Sequence, residues 1–244
     1  LYKKEHSGKT KKATKNSEVK RIVRSLADHI VKSYPESVVD ISMPPEIKDV
    51  QPFKESGFDV DVLYTYRLDL TPNQDELLAA FSSERRKNIK DAQKKQFAIR
   101  FDHEKKIVTE RVKQTLESSG LKYDYDLLER ILDAGFSFSV SSFDGDEILA
   151  SAVFVIDHSV AYYIAGGADK RPSAAGAAAQ VLWEAIKKCK EKGLDQFDFC
   201  GSSVPSIEKF FRGFGGDLTP YFRVQKNSFL FDLLKKAKSK LYKQ

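Results

Sequence analysis

Val19, Ile22, Val23, Leu26, Ala27, Ile30 and Val31 recur at steps of three and four residues, with charged side chains between them. That spacing puts them on one face of an amphipathic helix, with Ser17 as its N-cap and Tyr34-Pro35 as its stop. Residues 1–16, ahead of it, are lysine-rich and poor in apolar side chains, the pattern of a solvated arm. Residues 37–42 read as a strand, and Pro44, Pro45 and Pro52 mark an irregular segment. A period of two follows. Phe58, Val60, Val62, Tyr64, Tyr66, Leu68 and Leu70 alternate with Asp59, Asp61, Thr65, Arg67 and Asp69, which predicts a long half-buried strand. Thr71-Pro72 opens the next helix, with proline early in its first turn.

Helices are predicted over 73–81 and 84–95, a short strand over 97–101, and helices over 104–119 and 124–134. Three strands come next, over 136–143, 147–157 and 160–165. Asp144-Gly145 is a hairpin turn between the first two, and His158-Ser159 joins the second and third. A loop over 166–175 leads into a helix over 176–192, ended by Gly193. A strand over 196–200, a helix over 205–212, a strand over 221–225 and a basic amphipathic helix over 229–242 complete the pattern. From residue 97 the order is β-α-α-β-β-β-α-β-α-β, a mixed α/β arrangement in which an antiparallel meander feeds a crossover helix.

Charge sharpens this picture more than composition does. The 244 residues carry a net charge of +6, but residues 1–24 hold +7, residues 223–244 hold +6 and the body between them holds −7. The basic character therefore belongs to two arms on an acidic body, which argues against a DNA-binding domain. Cys189 and Cys200 cannot build a disulfide framework or a structural zinc site, and four scattered histidines add no ligand spacing. No metal is expected. Without a membrane-length apolar run or a signal-type segment, a reducing, cytoplasmic setting is expected.

Six segments carry a family resemblance: DVQPFKESGF (49–58), YTY (64–66), RRKNIKDA (85–92), AYYIAGG (161–167), GAAAQVLWEAI (176–186) and FDFCGSSVPSIEKFFRGFGG (197–216). In this order they resemble the FemAB-related branch of the GNAT N-acyltransferases. The resemblance implies a GNAT-like mixed sheet flanked by helices, with two such units in one chain. Residues 1–70 would be the C-terminal part of a first unit whose start is missing, 71–227 a complete unit, and 228–244 a basic helix. The chain begins at Leu1 and its single methionine is Met43, which fits that expectation. Lys54 and Glu55 depart from the family, which has an aromatic residue after the Pro-Phe pair.

The candidate chemistry follows from the same segments. Gly166 and Gly167 lead through Arg171 to Gly176 and Ala177 at a helix start, where backbone N–H groups and small side chains suit a phosphate. GNAT proteins hold the pyrophosphate of coenzyme A there, although Arg171 stands five residues before Gly176 where the family pattern has three. Tight helix packing is the other reading of these small residues. Asp198, Glu184 and Tyr163 are candidate proton-transfer groups, and Asp49 is a further carboxylate. Asp49, Tyr66, Arg85, Arg86, Ser202 and Arg212 are candidate acceptor contacts, the arginines for an anionic group or simply as a solvated face. No nucleophile stands with a histidine base, which disfavours a covalent intermediate.

The expectation is therefore acyl transfer from a CoA-type thioester to an amine of a small molecule or cell-envelope precursor. Aminoacyl transfer from aminoacyl-tRNA to a peptidoglycan precursor is the alternative that the resemblance implies. A non-catalytic module on the same scaffold is a third. The basic termini are the candidates for tRNA or anionic-membrane contact, and docking on the body is the other use of the last helix.

Overall fold

A computed structural model describes residues 12–121, 123–201 and 204–228. In chain order the elements are α1 (Lys12–Ser33), β1 (Val39–Ser42), α2 (Gln51–Glu55), β2 (Asp59–Asp69), α3 (Gln74–Ala80) and α4 (Ser83–Lys94). Then come β3 (Ala98–Phe101), α5 (Lys105–Ser118), α6 (Tyr125–Leu132), β4 (Ser137–Asp144), β5 (Glu147–Asp157) and β6 (Val160–Ala168). A short 3-10 turn (Pro172–Ala174) precedes α7 (Ala177–Glu191), β7 (Gln196–Asp198), α8 (Pro205–Arg212) and β8 (Asp217–Lys226).

The described chain divides into two compact units, one of residues 12–64 with 220–228 and one of 65–219. In the smaller unit β1 runs antiparallel to β8, with Val39 opposite Lys226 and Ser42 opposite Arg223. Val23, Ala27 and Ile30 of α1 pack with Met43, Val50, Phe53, Phe58 and Val224. The helix begins at Lys12, so Ser17 lies inside it and does not cap it. Its hydroxyl donates back to the Ala13 carbonyl at 3.0 Å, the usual outlet for a serine within a helix.

The larger unit carries strands in the order β2-β7-β6-β5-β4-β3. Its meander is antiparallel, β3 to β4 to β5 to β6, whereas β6 and β7 are parallel. Helix α7 is the crossover between those two strands, and it buries Val181, Leu182, Trp183, Ala185 and Ile186. Trp183 meets Phe81 edge-on at 5.4 Å, and Phe81 in turn meets Phe214 at 5.1 Å. Full burial of each such side chain contributes about 1.5–3 kcal/mol.

Two element boundaries in the larger unit differ from the sequence reading. Asn73, not Thr71-Pro72, begins α3: its side chain accepts from Glu76 N–H at 3.0 Å, and Glu76 accepts from Asn73 N–H at 2.9 Å. β6 also runs three residues further than predicted. Gly166 and Gly167 are strand residues opposite Ala152 and Ser151, so the turn before α7 starts only after Ala168.

Candidate active site

Strands β6 and β7 pair over a short stretch only, from Val160 opposite Gln196 to Tyr162 opposite Asp198. β7 ends there, while β6 continues to Ala168. The sheet therefore forks at the carboxyl end of a parallel pair, the usual place for a crevice in an α/β protein. A cavity of about 200 Å³ lies at this fork. Gly166, Gly167 and Ala168 of β6 form part of its wall, with Ala178 and Leu182 of α7. Phe210 and Phe211 of α8 face it, and Thr115, Ser151 and Ser206 bring hydroxyls. Its described walls are uncharged.

β6 is not regular beside the cavity. Val153 lies opposite Ala165 and Phe154 opposite Tyr163, which leaves Ile164 as an extra residue in the strand. Such a bulge breaks the ladder and re-aims local backbone and side chains. Tyr163 stands next to it and lines the cavity. Desolvation pushes its phenol well above the ordinary value of 10.0, with smaller contributions from Cys200 and Tyr123 nearby. The hydroxyl therefore keeps its proton throughout the neutral range.

Asp198 stands opposite Arg67 in the antiparallel β2–β7 pair. It is 3% exposed and fully engaged. Thr65 Oγ1 donates to its Oδ1 at 2.6 Å, the Cys200 backbone N–H donates to Oδ1 at 2.8 Å, and Arg67 Nε donates to Oδ2 at 2.7 Å. These bonds explain why the polar positions of β2, Thr65 and Arg67, are buried where simple alternation puts them in solvent. Cys200 takes a left-handed conformation, φ +56°, at the end of this network.

Tyr66, on the same strand, donates to Glu208 Oε1 at 2.5 Å, and Arg212 Nε stands 3.6 Å from that oxygen. The hydrogen bond to Glu208, then burial, raises the Tyr66 phenol. The structure thus brings together two candidate acceptor contacts, Tyr66 and Arg212, through a carboxylate on α8.

At the start of α7 the N-cap is Gly176, which offers no side-chain cap to the Ala177–Ala179 turn. Gly176 has φ +97°, and a Cβ there would stand 2.4 Å from the Asn88 carbonyl of α4. A Cβ on Gly167 would stand 2.4 Å from the Arg111 carbonyl of α5. Both glycines therefore allow close helix packing, whatever else they do. Arg171 lies in the preceding turn, paired with Asp169 at 2.5 Å and with Glu147. Hydrogen bonds to both carboxylates raise the Arg171 value further, and Arg171 holds Asp169 below the usual carboxylate range. Lys95, which no motif signalled, anchors the same turn by donating to the Ser173 and Ala175 carbonyls at 2.9 and 3.1 Å.

The other candidates lie elsewhere. Glu184 pairs with Lys187 on α7 at 2.8 Å. Arg85 is buried, its guanidinium 4.6 Å from the Phe210 ring centre and 2.7 Å from Glu84. Arg86 donates to the Ala79 carbonyl at 2.8 Å and to that of Phe81, closing the end of α3. Asp49 belongs to the smaller unit, where it accepts from Gln51 N–H at 3.1 Å. Ser202 and the basic helix over 229–242 lie outside the described residues. Among the described residues no cluster of His, Cys, Asp and Glu is arranged for a metal, and no helix is long and apolar enough to cross a membrane.

A forked parallel pair, a bulged strand and the crossover helix α7 together frame the cavity. Residues 83–212 match the family described as Acetyltransferase (GNAT) domain, and the chain belongs to that family. It is accordingly an N-acyltransferase, acting on an acyl or aminoacyl group, and the non-catalytic reading falls away. No curated protein matches the chain by sequence. Among solved structures, FemX is similar with a TM-score of 0.65 and 14% identity, over 85% of this chain and 77% of FemX. The C-terminal domain of a candidate lysylphosphatidylglycerol synthetase from Agrobacterium fabrum gives a TM-score of 0.58 and 10% identity, over 84% of this chain and 73% of that one. L-PGS from Bacillus licheniformis gives 0.51 and 10%, over 77% and 68%. At these identities the likeness is one of fold, and it is the fold that the FemAB resemblance implied.

Proposed function

We propose that the protein moves a short, uncharged acyl group from a thioester of the coenzyme A type to an amine of a small-molecule or cell-envelope precursor. The observation that carries this reading is the uncharged cavity at the β6–β7 fork with Tyr163 in its wall. An aminoacyl group entering it brings an α-ammonium, and desolvating that cation beside uncharged walls costs several kcal/mol. An acetyl or other short acyl group carries no such cost.

The donor's phosphates fit the start of α7, where the Ala177–Ala179 turn has no side-chain cap and the helix dipole favours an anion. Arg171 joins them only by exchanging a carboxylate for a phosphate. In the transfer, the acceptor nitrogen attacks the carbonyl carbon, the C–N bond forms and the bond to sulfur breaks. Tyr163 gives its proton to the departing sulfur and regains one from the acceptor nitrogen, directly or through water, so the proton count closes. Backbone N–H at the Ile164 bulge is the candidate donor to the carbonyl oxygen. Asp198, with all three of its partners engaged, holds the end of β7 in place. Tyr66, Glu208 and Arg212 form a polar row for the acceptor, with Arg212 suited to an anionic part of it.

Aminoacyl transfer from aminoacyl-tRNA to a peptidoglycan precursor is the second reading, supported by the fold shared with FemX. The test is turnover of the purified chain with acetyl-CoA or propionyl-CoA, and separately with aminoacyl-tRNA, against a panel of amines, with products followed by mass spectrometry. CoA-dependent acylation is expected. Product formed only with aminoacyl-tRNA overturns the first reading in favour of the second.

A further inference from the structure

Tyr163 and Gly166 are three residues apart, a spacing that sends side chains to opposite faces of a regular strand. The extra residue Ile164 changes this. Tyr163 lies opposite Phe154 and Gly166 opposite Ala152, and two residues that far apart on β5 share a face. The phenol consequently folds back along its own strand over Gly166. A Cβ built on Gly166 would stand 2.0 Å from the Tyr163 hydroxyl oxygen, 2.8 Å from Cζ and 3.0 Å from Cε2. Elsewhere the ring is held by Phe154 at 5.8 Å and Phe211 at 5.3 Å. Gly167 next door answers to a different neighbour, α5, so the adjacent glycines have separate tasks.

We propose that Gly166 is a seat for the Tyr163 phenol, a positioning residue that sets where the hydroxyl enters the cavity, and that the bulge exists in part to create this seat. Any side chain at 166 displaces the hydroxyl. The backbone there needs no glycine conformation, since Gly166 is not among the residues with positive φ. The requirement is for space alone. The catalytic consequence rests on the acyl-transfer reading above, but the seat itself does not.

Two sets of variants separate these. In thermal unfolding, Gly166→Ala is expected to lower the midpoint of the otherwise unchanged chain by about 2–12 °C, the cost of an overpacked contact. In a Tyr163→Ala background the same change is expected to cost almost nothing. In a Tyr163→Phe background it costs an intermediate amount, because the Cζ contact at 2.8 Å remains. Equal losses in all three backgrounds overturn the seat. In turnover with acetyl-CoA, Gly166→Ala is expected to lower kcat at least tenfold with the donor KM unchanged, and to add little to the loss caused by Tyr163→Phe. A raised donor KM with intact kcat overturns the proposal and returns Gly166 to donor binding. A chain inactive with every CoA thioester fails the acyl-transfer reading, while the thermal comparison still decides the seat.

Discussion

Replacing Asp198 by alanine separates a structural carboxylate from a reacting one. Asp198 is 3% exposed and Arg67 8%, and Arg67 Nε lies 2.7 Å from Oδ2. The variant removes the anion and leaves the guanidinium buried. It also removes the acceptor to which the Thr65 hydroxyl and the Cys200 N–H donate. Breaking one side of a buried pair costs about 3–5 kcal/mol. For a chain of 244 residues each kcal/mol lowers the unfolding midpoint by about 2–4 °C, so a drop of about 6–20 °C is expected. Circular dichroism during heating, with a urea titration to confirm that the slope is unchanged, reads it directly. A control removes both charges. Arg67→Met with Asp198→Leu is expected to be more stable than Asp198→Ala, because neither member of the buried ion pair is left without the other. The reasoning fails if Asp198→Ala unfolds within about 3 °C of the parent while turnover is lost. That pairing identifies Asp198 as a reacting group.

Tyr163→Phe is expected to lower kcat by about 10²-fold or more with the donor KM unchanged, measured by release of free thiol from acetyl-CoA. Because desolvation raises the Tyr163 phenol above 10.0, kcat should show no falling limb from its ionisation between about pH 8 and 10; a limb that Tyr163→Phe abolishes contradicts this. Gly176→Ala places a side chain at φ +97° and 2.4 Å from the Asn88 carbonyl, so it is expected to destabilise by at least about 1–2 kcal/mol in urea unfolding. An unchanged midpoint with weakened CoA binding shows instead that Gly176 serves the donor alone. Arg223 holds Asp40 below its unfolded value of 3.8. Its stabilising effect is thus fully present above that pH and lost as pH falls through the lower folded value. Asp40→Asn should reduce stability in urea unfolding at pH 6 by no more than the roughly 0–1 kcal/mol of an exposed pair, and the loss should shrink as the pH is lowered below 3.8; a loss that does not change with pH contradicts the assignment.

Periodicity made most of the fold legible. The two-residue alternation from Phe58 to Leu70 and the meander after residue 136 predict strands that the structure contains. Ser17 misled because lysine and alanine ahead of it continue the helix without an apolar face to announce it. Gly166 and Gly167 read as loop because glycine is a turn signal, yet here each makes room, one for a phenol and one for α5. The candidate residues were legible one by one, but their partners were not. Asp198 stood out as a polar residue at a strand end, whereas its partners Thr65 and Arg67 are more than 130 positions away and meet it only through β2–β7 pairing. Thr65 and Arg67 occupy the polar places of an alternating strand, so nothing in β2 itself marked them as buried. The Ile164 bulge left no mark in composition or spacing, since a single inserted residue is visible only against its partner strand.

The central claim is that the fork between β6 and β7 receives the acyl group of a CoA-type donor. A crystal structure with a non-hydrolysable thioether analogue of acetyl-CoA tests it most directly. The account predicts the acyl carbons in the cavity beside Tyr163, Gly166 and Phe211, with the phosphates at the start of α7. Well-defined analogue elsewhere on the chain, with that cavity left to solvent, contradicts it.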